Sequence, residues 1–319
     1  MAAMRALYLD GDVARVTSVS EPEPFPDSAL VRVSLAGVCD TDLQLVKGYM
    51  NFRGVLGHEF VGTVCEGPGE LLTRRVVGEI NFACRSCALC KAGLERHCPN
   101  RRVMGILDAD GAFAEYVRVP IANLHLVPES VSDESAVFAE PLAAAFEILE
   151  QVDLAAGSDC LVLGDGKLGL LIAQVLHGAG ARVRIVGKHP EKLAIASRLG
   201  IEAILRDDHR PEPVSLVVEA TGRSDGFDCA VAAVKPRGTI VLKTTVAARA
   251  EIDLAPLVIN EVQVVGSRCG PFPPAMRALE NGSVDVGSLV QERVRLADGL
   301  EALRIAATPG ALKVLIEAG

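Results

Sequence analysis

Four cysteines stand within fifteen residues, spaced Cys84-x2-Cys87-x2-Cys90-x7-Cys98. Structural zinc takes four nitrogen or sulfur ligands tetrahedrally, and spacings this short let one loop wrap the ion. Gly93 and Pro99 suit a loop that must turn sharply. Two other readings exist, four reduced packing cysteines or a nucleic-acid zinc ribbon, and the spacing argues against the first. Charge argues against the second. The chain carries 32 basic and 41 acidic residues, a formal net charge of −9, so as a whole it has no electrostatic pull toward nucleic acid or anionic lipid.

A second pattern is Gly164-Asp165-Gly166-Lys167-Leu168-Gly169, a Gly-x-Gly-x-x-Gly stretch directly after apolar Leu161–Leu163. An apolar helical run follows it, which is the context a dinucleotide site requires. Gly164 would make the tight turn, Gly166 would let pyrophosphate approach, and Gly169 would let helix and strand pack. The helix start, at Lys167 and Leu168, would offer free N–H groups to the phosphates. About twenty residues further on, such sites place a carboxylate against the ribose 2′-hydroxyl of NAD. Here that slot falls on Gly187, in Val186-Gly187-Lys188-His189. Glycine would leave room for a 2′-phosphate, with Lys188 and His189 to neutralise it. The expected cofactor is therefore NADP or NAD, with NADP or dual use favoured; solvated loop residues are the other reading of Lys188 and His189.

Three further segments each carry a possible metal ligand: Cys39 in Gly37-Val38-Cys39-Asp40-Thr41-Asp42, His58 and Glu59 in Gly57-His58-Glu59, and Glu140 before Pro141. Singly, a cysteine at a strand end is a packing residue and a glutamate before proline a helix cap. In combination with the cysteine loop and the glycine motif, in this order, they carry more. Over nearly the whole chain the order resembles the zinc-dependent medium-chain dehydrogenase/reductase family, in its alcohol, polyol and sugar dehydrogenase-like members.

The resemblance implies a catalytic zinc on Cys39, His58 and Glu140, with Glu59 as a fourth or exchanging ligand, and a structural zinc on the four-cysteine loop, two ions per chain. Three protein ligands leave one position open for water or a substrate oxygen. Thr41 resembles the family hydroxyl that bonds the substrate oxygen. Many relatives carry a histidine three residues later; this chain has Gln44, which cannot act as an acid–base group, so the relay would continue through water. Glu140 as third ligand resembles the polyol and sugar branch. Thr221 and Gly222 after one strand, and Lys243 and Thr244 after the next, resemble cofactor-facing segments. The implied activity is hydride transfer between a small-molecule alcohol, such as a polyol, sugar or secondary alcohol, and NAD(P), by a homodimer or homotetramer. Two rivals are a zinc-free-type enone or quinone reductase and a non-catalytic redox sensor, the latter favoured only by Gln44.

The elements that must position these residues follow from texture. At 319 residues the chain is long enough for two domains, and with half its residues apolar and 23% charged it is not a disordered polymer. Up to Val127 short strands rich in Val, Leu and Ile alternate with Gly, Pro and Asp turns: Met1–Asp10, Leu30–Leu35, Val61–Glu66, Arg75–Ile80, Ala114–Val119 and Leu124–Val127. From Ser132 strands and helices alternate, as in βαβ units with a parallel sheet covered on both faces. The expected fold class is α/β. A β-rich catalytic domain, chaperonin-10-like by the resemblance, spans 1–128 and 273–319, and a doubly wound parallel-sheet (Rossmann) domain spans 129–272. No apolar run reaches the roughly 20 residues of a membrane span. Clustered thiols without a secretion signal point to the cytoplasm. The remaining cysteines, Cys65, Cys160, Cys229 and Cys269, read as packing residues.

Overall fold

Alternating apolar residues make Ala3–Asp10 a half-buried strand, and it pairs antiparallel with Val13–Ser20 from Ala3↔Ser20 to Asp10↔Val13. Gly11, at a φ of +68°, takes the left-handed position this two-residue turn needs. The computed structural model describes residues 2–245 and 252–319; Met1, included in the first expected strand, lies outside them.

Two units divide the chain. The first comprises Met1–Glu140, Leu279–Asn281 and Leu289–Gly319. Its principal sheet runs Leu124–Leu126, Arg75–Gly78, Phe60–Glu66, Ser28–Gly37, Lys313–Glu317, Val290–Arg295, with Tyr116–Pro120 also paired to Ser28–Gly37. The C-terminal strand thus enters the N-terminal sheet, at Leu315↔Gly37, Ile316↔Ala36 and Glu317↔Leu35. That register sets Lys313 beside the end of Ser28–Gly37, where Cys39 follows.

The second unit comprises Pro141–Ala278 and Gly282–Ser288. Its six strands are all parallel, in the spatial order Glu202–Leu205, Arg182–Gly187, Asp159–Leu163, Val214–Glu219, Val234–Leu242, Gln263–Gly266. Numbered along the chain within the sheet, that is 3-2-1-4-5-6, the doubly wound order with its switch point beside the first strand. Leu161, Val217, Ile240 and Ala230 sit in one apolar core of this unit. The continuous apolar runs are buried on both faces, as parallel strands require.

The units part elsewhere than at 128/129 and 272/273. Helix Asp133–Ala136 stays with the first unit, because Arg75 grips Asp133 at 2.6 Å and the helix packs on Ser28–Gly37 and Phe60–Glu66. On the return, residues 282–288 stay with the second unit, where Gln174 donates to the Asp285 carbonyl at 3.0 Å and accepts from its N–H at 2.7 Å. Strands Glu202–Leu205 and Gln263–Gly266 have no counterpart among the expected elements. Both are only four residues long and lie at the sheet edges, where hydrophobic patterning is weakest.

Candidate functional site

Cys39 occupies the N-cap of the short helix Asp40–Val46 in an extended conformation (φ −102°, ψ 157°), directly after strand Ser28–Gly37. The strand delivers the thiol and the helix start fixes it. Asp42, fully buried, accepts from the Cys39 N–H through Oδ2 at 2.8 Å, while its Oδ1 stands 3.3 Å from His58 Nδ1. One carboxylate therefore orients two donors that lie nineteen residues apart. The 3.3 Å contact is an ion-pair distance without hydrogen-bond alignment, and both atoms lack a hydrogen-bond partner. Burial alone would lower the His58 pKa, but the nearby charges of Asp42 and Cys39 carry it well above the usual imidazole range.

Glu59, next in sequence, is 1% exposed and forms an ion pair with Lys313, also 1% exposed. Lys313 donates further to the Val38 carbonyl at 3.3 Å and lies 5.6 Å from the centre of the Phe138 ring. Burial opposes the Lys313 charge; the Glu59 carboxylate, with Cys39, raises its pKa nonetheless. The second oxygen, Glu59 Oε1, is buried without a hydrogen-bond partner. An orphaned carboxylate oxygen is costly unless something else binds it.

Ligand atoms of Cys39, His58 and Glu59 lie within 4.8 Å of one another. Sulfur, imidazole and carboxylate are the donors zinc prefers, and the orphaned Oε1 fits a metal ligand. Glu140, in the first turn of helix Ala139–Gln151 and half-buried, stands outside this group of donors. The structure thus brings together Cys39, His58 and Glu59, where the resemblance gave the third place to Glu140. Thr41 is half-buried, its Oγ1 3.7 Å from Cys39 Sγ.

The four-cysteine loop closes as expected from its spacing. Cys84, Cys87, Cys90 and Cys98 lie within 4.8 Å of one another, with sulfur–sulfur distances of 3.5 Å (Cys87–Cys90), 3.9 Å (Cys87–Cys98) and 3.5 Å (Cys84–Cys98). A tetrahedron with metal–sulfur bonds of ~2.3 Å has edges of about 3.8 Å. Hydrogen bonds from the Ser86 hydroxyl and from the backbone at Ser86 and Cys87 hold the Cys84 thiol down at about 5, a ready thiolate. Burial pushes Cys90 up to about 12. Of the cysteines expected to pack, only Cys160 is buried; Cys65 and Cys229 are exposed and Cys269 is half-buried. Cys65 lies next to the end of strand Phe60–Glu66 and Cys229 in helix Gly226–Ala233, and residue type alone does not disclose that both face outward.

In the second unit the glycine motif joins strand Asp159–Leu163 to helix Lys167–Gly178. Gly164 has a φ of +116° and lies against Ala220, and a Cβ at Gly169 would stand 2.0 Å from the Gly164 carbonyl oxygen. Only glycine allows both approaches. Lys167 is buried and Leu168 half-buried at the helix start. Thr221 donates through its N–H and hydroxyl to Glu219 Oε1, at 2.8 and 2.6 Å, and Gly222 N–H donates to Thr244 Oγ1 at 2.9 Å. These two segments are tied together across adjacent strand ends. Lys243 donates to the Ala144 carbonyl at 2.7 Å and to Ser267 Oγ at 3.1 Å; those two bonds aim its ammonium at protein. Lys188 is exposed, and His189 Nδ1 lies 3.0 Å from Asp165 Oδ2.

Reasoning from sequence assigned no role to Asp42, Asp165 or Lys313. Asp42 had a readable signal, a carboxylate three residues after Cys39 at a helix start, as in a capping box. Lys313 had none, being 254 residues from Glu59.

Comparison with known proteins follows the same two parts. The model described as "Alcohol dehydrogenase GroES-like domain" matches residues 25–129, and that described as "Zinc-binding dehydrogenase" matches 168–281. L-threonine 3-dehydrogenase of Rhizobium etli (strain ATCC 51251) is 30% identical over 90% of this chain and 91% of its own. D-arabitol-phosphate dehydrogenase of Enterococcus avium is 28% identical over 94% and 92%. Among solved structures, a zinc-binding dehydrogenase from Sinorhizobium meliloti 1021 bound to NADP superposes with a TM-score of 0.90 at 29% identity, covering 99% of this chain and 100% of that one.

Proposed function

Since the chain belongs to the zinc-dependent medium-chain dehydrogenase/reductase family, we propose that it moves a hydride between a secondary alcohol, of the polyol or sugar kind, and NAD(P). The observation that carries this is the convergence of Cys39, His58 and Glu59 donors within 4.8 Å around an orphaned carboxylate oxygen. Relatives named for arabitol phosphate and threonine both act, by those names, on hydroxylated carbon chains. They support the substrate class.

Cys39 and His58 would hold a catalytic zinc, with Glu59 or Glu140 completing the set, and Cys84, Cys87, Cys90 and Cys98 a structural one. Zinc in such a site supplies Lewis acidity that polarises a substrate oxygen and eases its deprotonation. The nicotinamide supplies the hydride chemistry. The chain's own work is placement. Asp42 keeps the Cys39 backbone and the His58 ring in register. The Thr41 hydroxyl, beside Cys39, bonds the substrate oxygen and passes its proton outward; Gln44 cannot take that proton, so water does. Backbone N–H groups at Lys167 and Leu168, with the close approach at Gly166, cradle the pyrophosphate, and Thr221, Gly222 and Thr244 border the cofactor at the strand ends.

We place the protein in the cytoplasm as a homodimer or homotetramer. Nine free thiols support a reducing compartment. Exposed Leu254, Val258 and Ile259 around helix Ala255–Ile259, next to edge strand Gln263–Gly266, support self-association. Among the described residues no helix is long and apolar enough to cross a membrane.

The test is zinc content per chain together with an alcohol screen. About two zinc ions per chain and NAD(P)H formation with at least one polyol or secondary alcohol are expected, with turnover lost on chelation. Full turnover in a demetallated enzyme would refute the zinc reading, and enone reduction without alcohol oxidation would favour the reductase rival.

A further inference from the structure

Asp165, the second residue of the glycine motif, is a buried carboxylate. Its side chain turns away from the helix start toward the end of the neighbouring strand Arg182–Gly187. There Oδ2 accepts from the Lys188 N–H and the His189 N–H, each at 2.7 Å, and lies 3.0 Å from His189 Nδ1. A Cβ built on Gly187 would stand 2.4 Å from both Asp165 Cβ and Asp165 Oδ2. The space above Gly187 that the sequence left open for a 2′-phosphate is therefore filled, and filled by an acid. His189, one of the two cations expected to neutralise that phosphate, is already engaged with the same carboxylate.

The geometry points to Asp165 as the residue that selects NAD over NADP. In sites of this order a carboxylate at the end of the second strand accepts the ribose 2′-hydroxyl. Here the strand end is glycine and the carboxylate reaches the same slot from the glycine-rich loop. The three bonds all fall on Oδ2, so Oδ1 is the acceptor for the hydroxyl. A 2′-phosphate, carrying nearly two negative charges, would meet a carboxylate instead of a cation. The exposed Lys188 ammonium is the one cation of that turn not drawn to Asp165. Gly187 is glycine because Asp165 needs its place. This rests on the dinucleotide reading of the second unit proposed above.

The experiment is calorimetric titration of zinc-loaded enzyme with NAD+, NADP+ and 2′-deoxy-NAD+. Wild type is expected to bind NAD+ about tenfold or more tighter than NADP+ and 2′-deoxy-NAD+ about tenfold more weakly than NAD+, the size of one well-placed hydrogen bond or like-charge contact. In Asp165→Ser the NAD+ to NADP+ ratio is expected to fall to near one or below, with the deoxy penalty gone. If that variant does not fold, the wild-type ratios decide alone. Equal or tighter binding of NADP+ by wild type, or equal binding of NAD+ and its 2′-deoxy form, overturns the role of Asp165 while leaving the dehydrogenase reading intact. Binding of none of the three overturns both.

Discussion

Replacing Lys313 with methionine tests how the buried Glu59 carboxylate is held. The substitution keeps most of the side-chain volume and removes the charge. Lys313 and Glu59 are each 1% exposed and paired, so the change leaves the Glu59 carboxylate buried and without its cation. Breaking a buried pair from one side costs about 3–5 kcal/mol. In a unit of this size each kcal/mol shifts a melting midpoint by roughly 2–4 °C, so the first unit should melt about 6–20 °C lower in zinc-free protein. With zinc bound, a cation again faces Glu59 and the loss should be smaller. Glu59→Gln added to Lys313→Met should restore much of the loss, because no uncompensated charge remains. Thermal unfolding followed by circular dichroism, with and without zinc, on the four proteins of this cycle gives the coupling. An unchanged melt, or an equal loss with and without zinc, would refute the idea that Lys313 and the metal share one carboxylate.

Asp42→Asn should weaken zinc at the Cys39–His58 site by about 10–100-fold, as loss of an orienting carboxylate does elsewhere, measured by competition with a chromophoric chelator; unaltered affinity would remove Asp42 from the site. Cys98→Ser should lower zinc content by one ion per chain and destabilise the 84–98 loop, read by elemental analysis and limited proteolysis. Gly164→Ala places a Cβ 2.4 Å from the Ala220 carbonyl oxygen at a φ of +116°, so dinucleotide binding should be lost while zinc content is kept. Lys188→Ala should change NADP+ affinity less than twofold if Asp165 governs the ribose, and a tenfold drop in NADP+ affinity would return that turn to the role its charges first suggested.

The four-cysteine loop was fully legible because its chemistry is local: fifteen residues of chain bring all four thiols to one point. So was the strand–turn–helix at 159–178, where the apolar run, the glycines and the next apolar run fix strand, turn and helix without help from elsewhere. The second metal group was legible as a set of candidates only through their order along the chain. Where strand Lys313–Glu317 enters the sheet was not legible, and that register sets Lys313 against Glu59, beside Cys39 and His58.

Two readings changed for one reason. Glycine at 187 read as empty space, and the space is occupied by Asp165 from another loop. Cys65 and Cys229 read as packing residues, and their neighbours in space leave them exposed. Sequence by itself determined what near neighbours can settle: short cysteine spacings, the period of buried strands and the glycine turn between a strand and its helix. Tertiary structure alone decided the long-range meetings, Glu59 with Lys313 across 254 residues and Asp165 with the 187–189 turn across more than twenty. Burial and charge pairing are properties of a place in space, and the chain reaches that place only after the sheets have set their register.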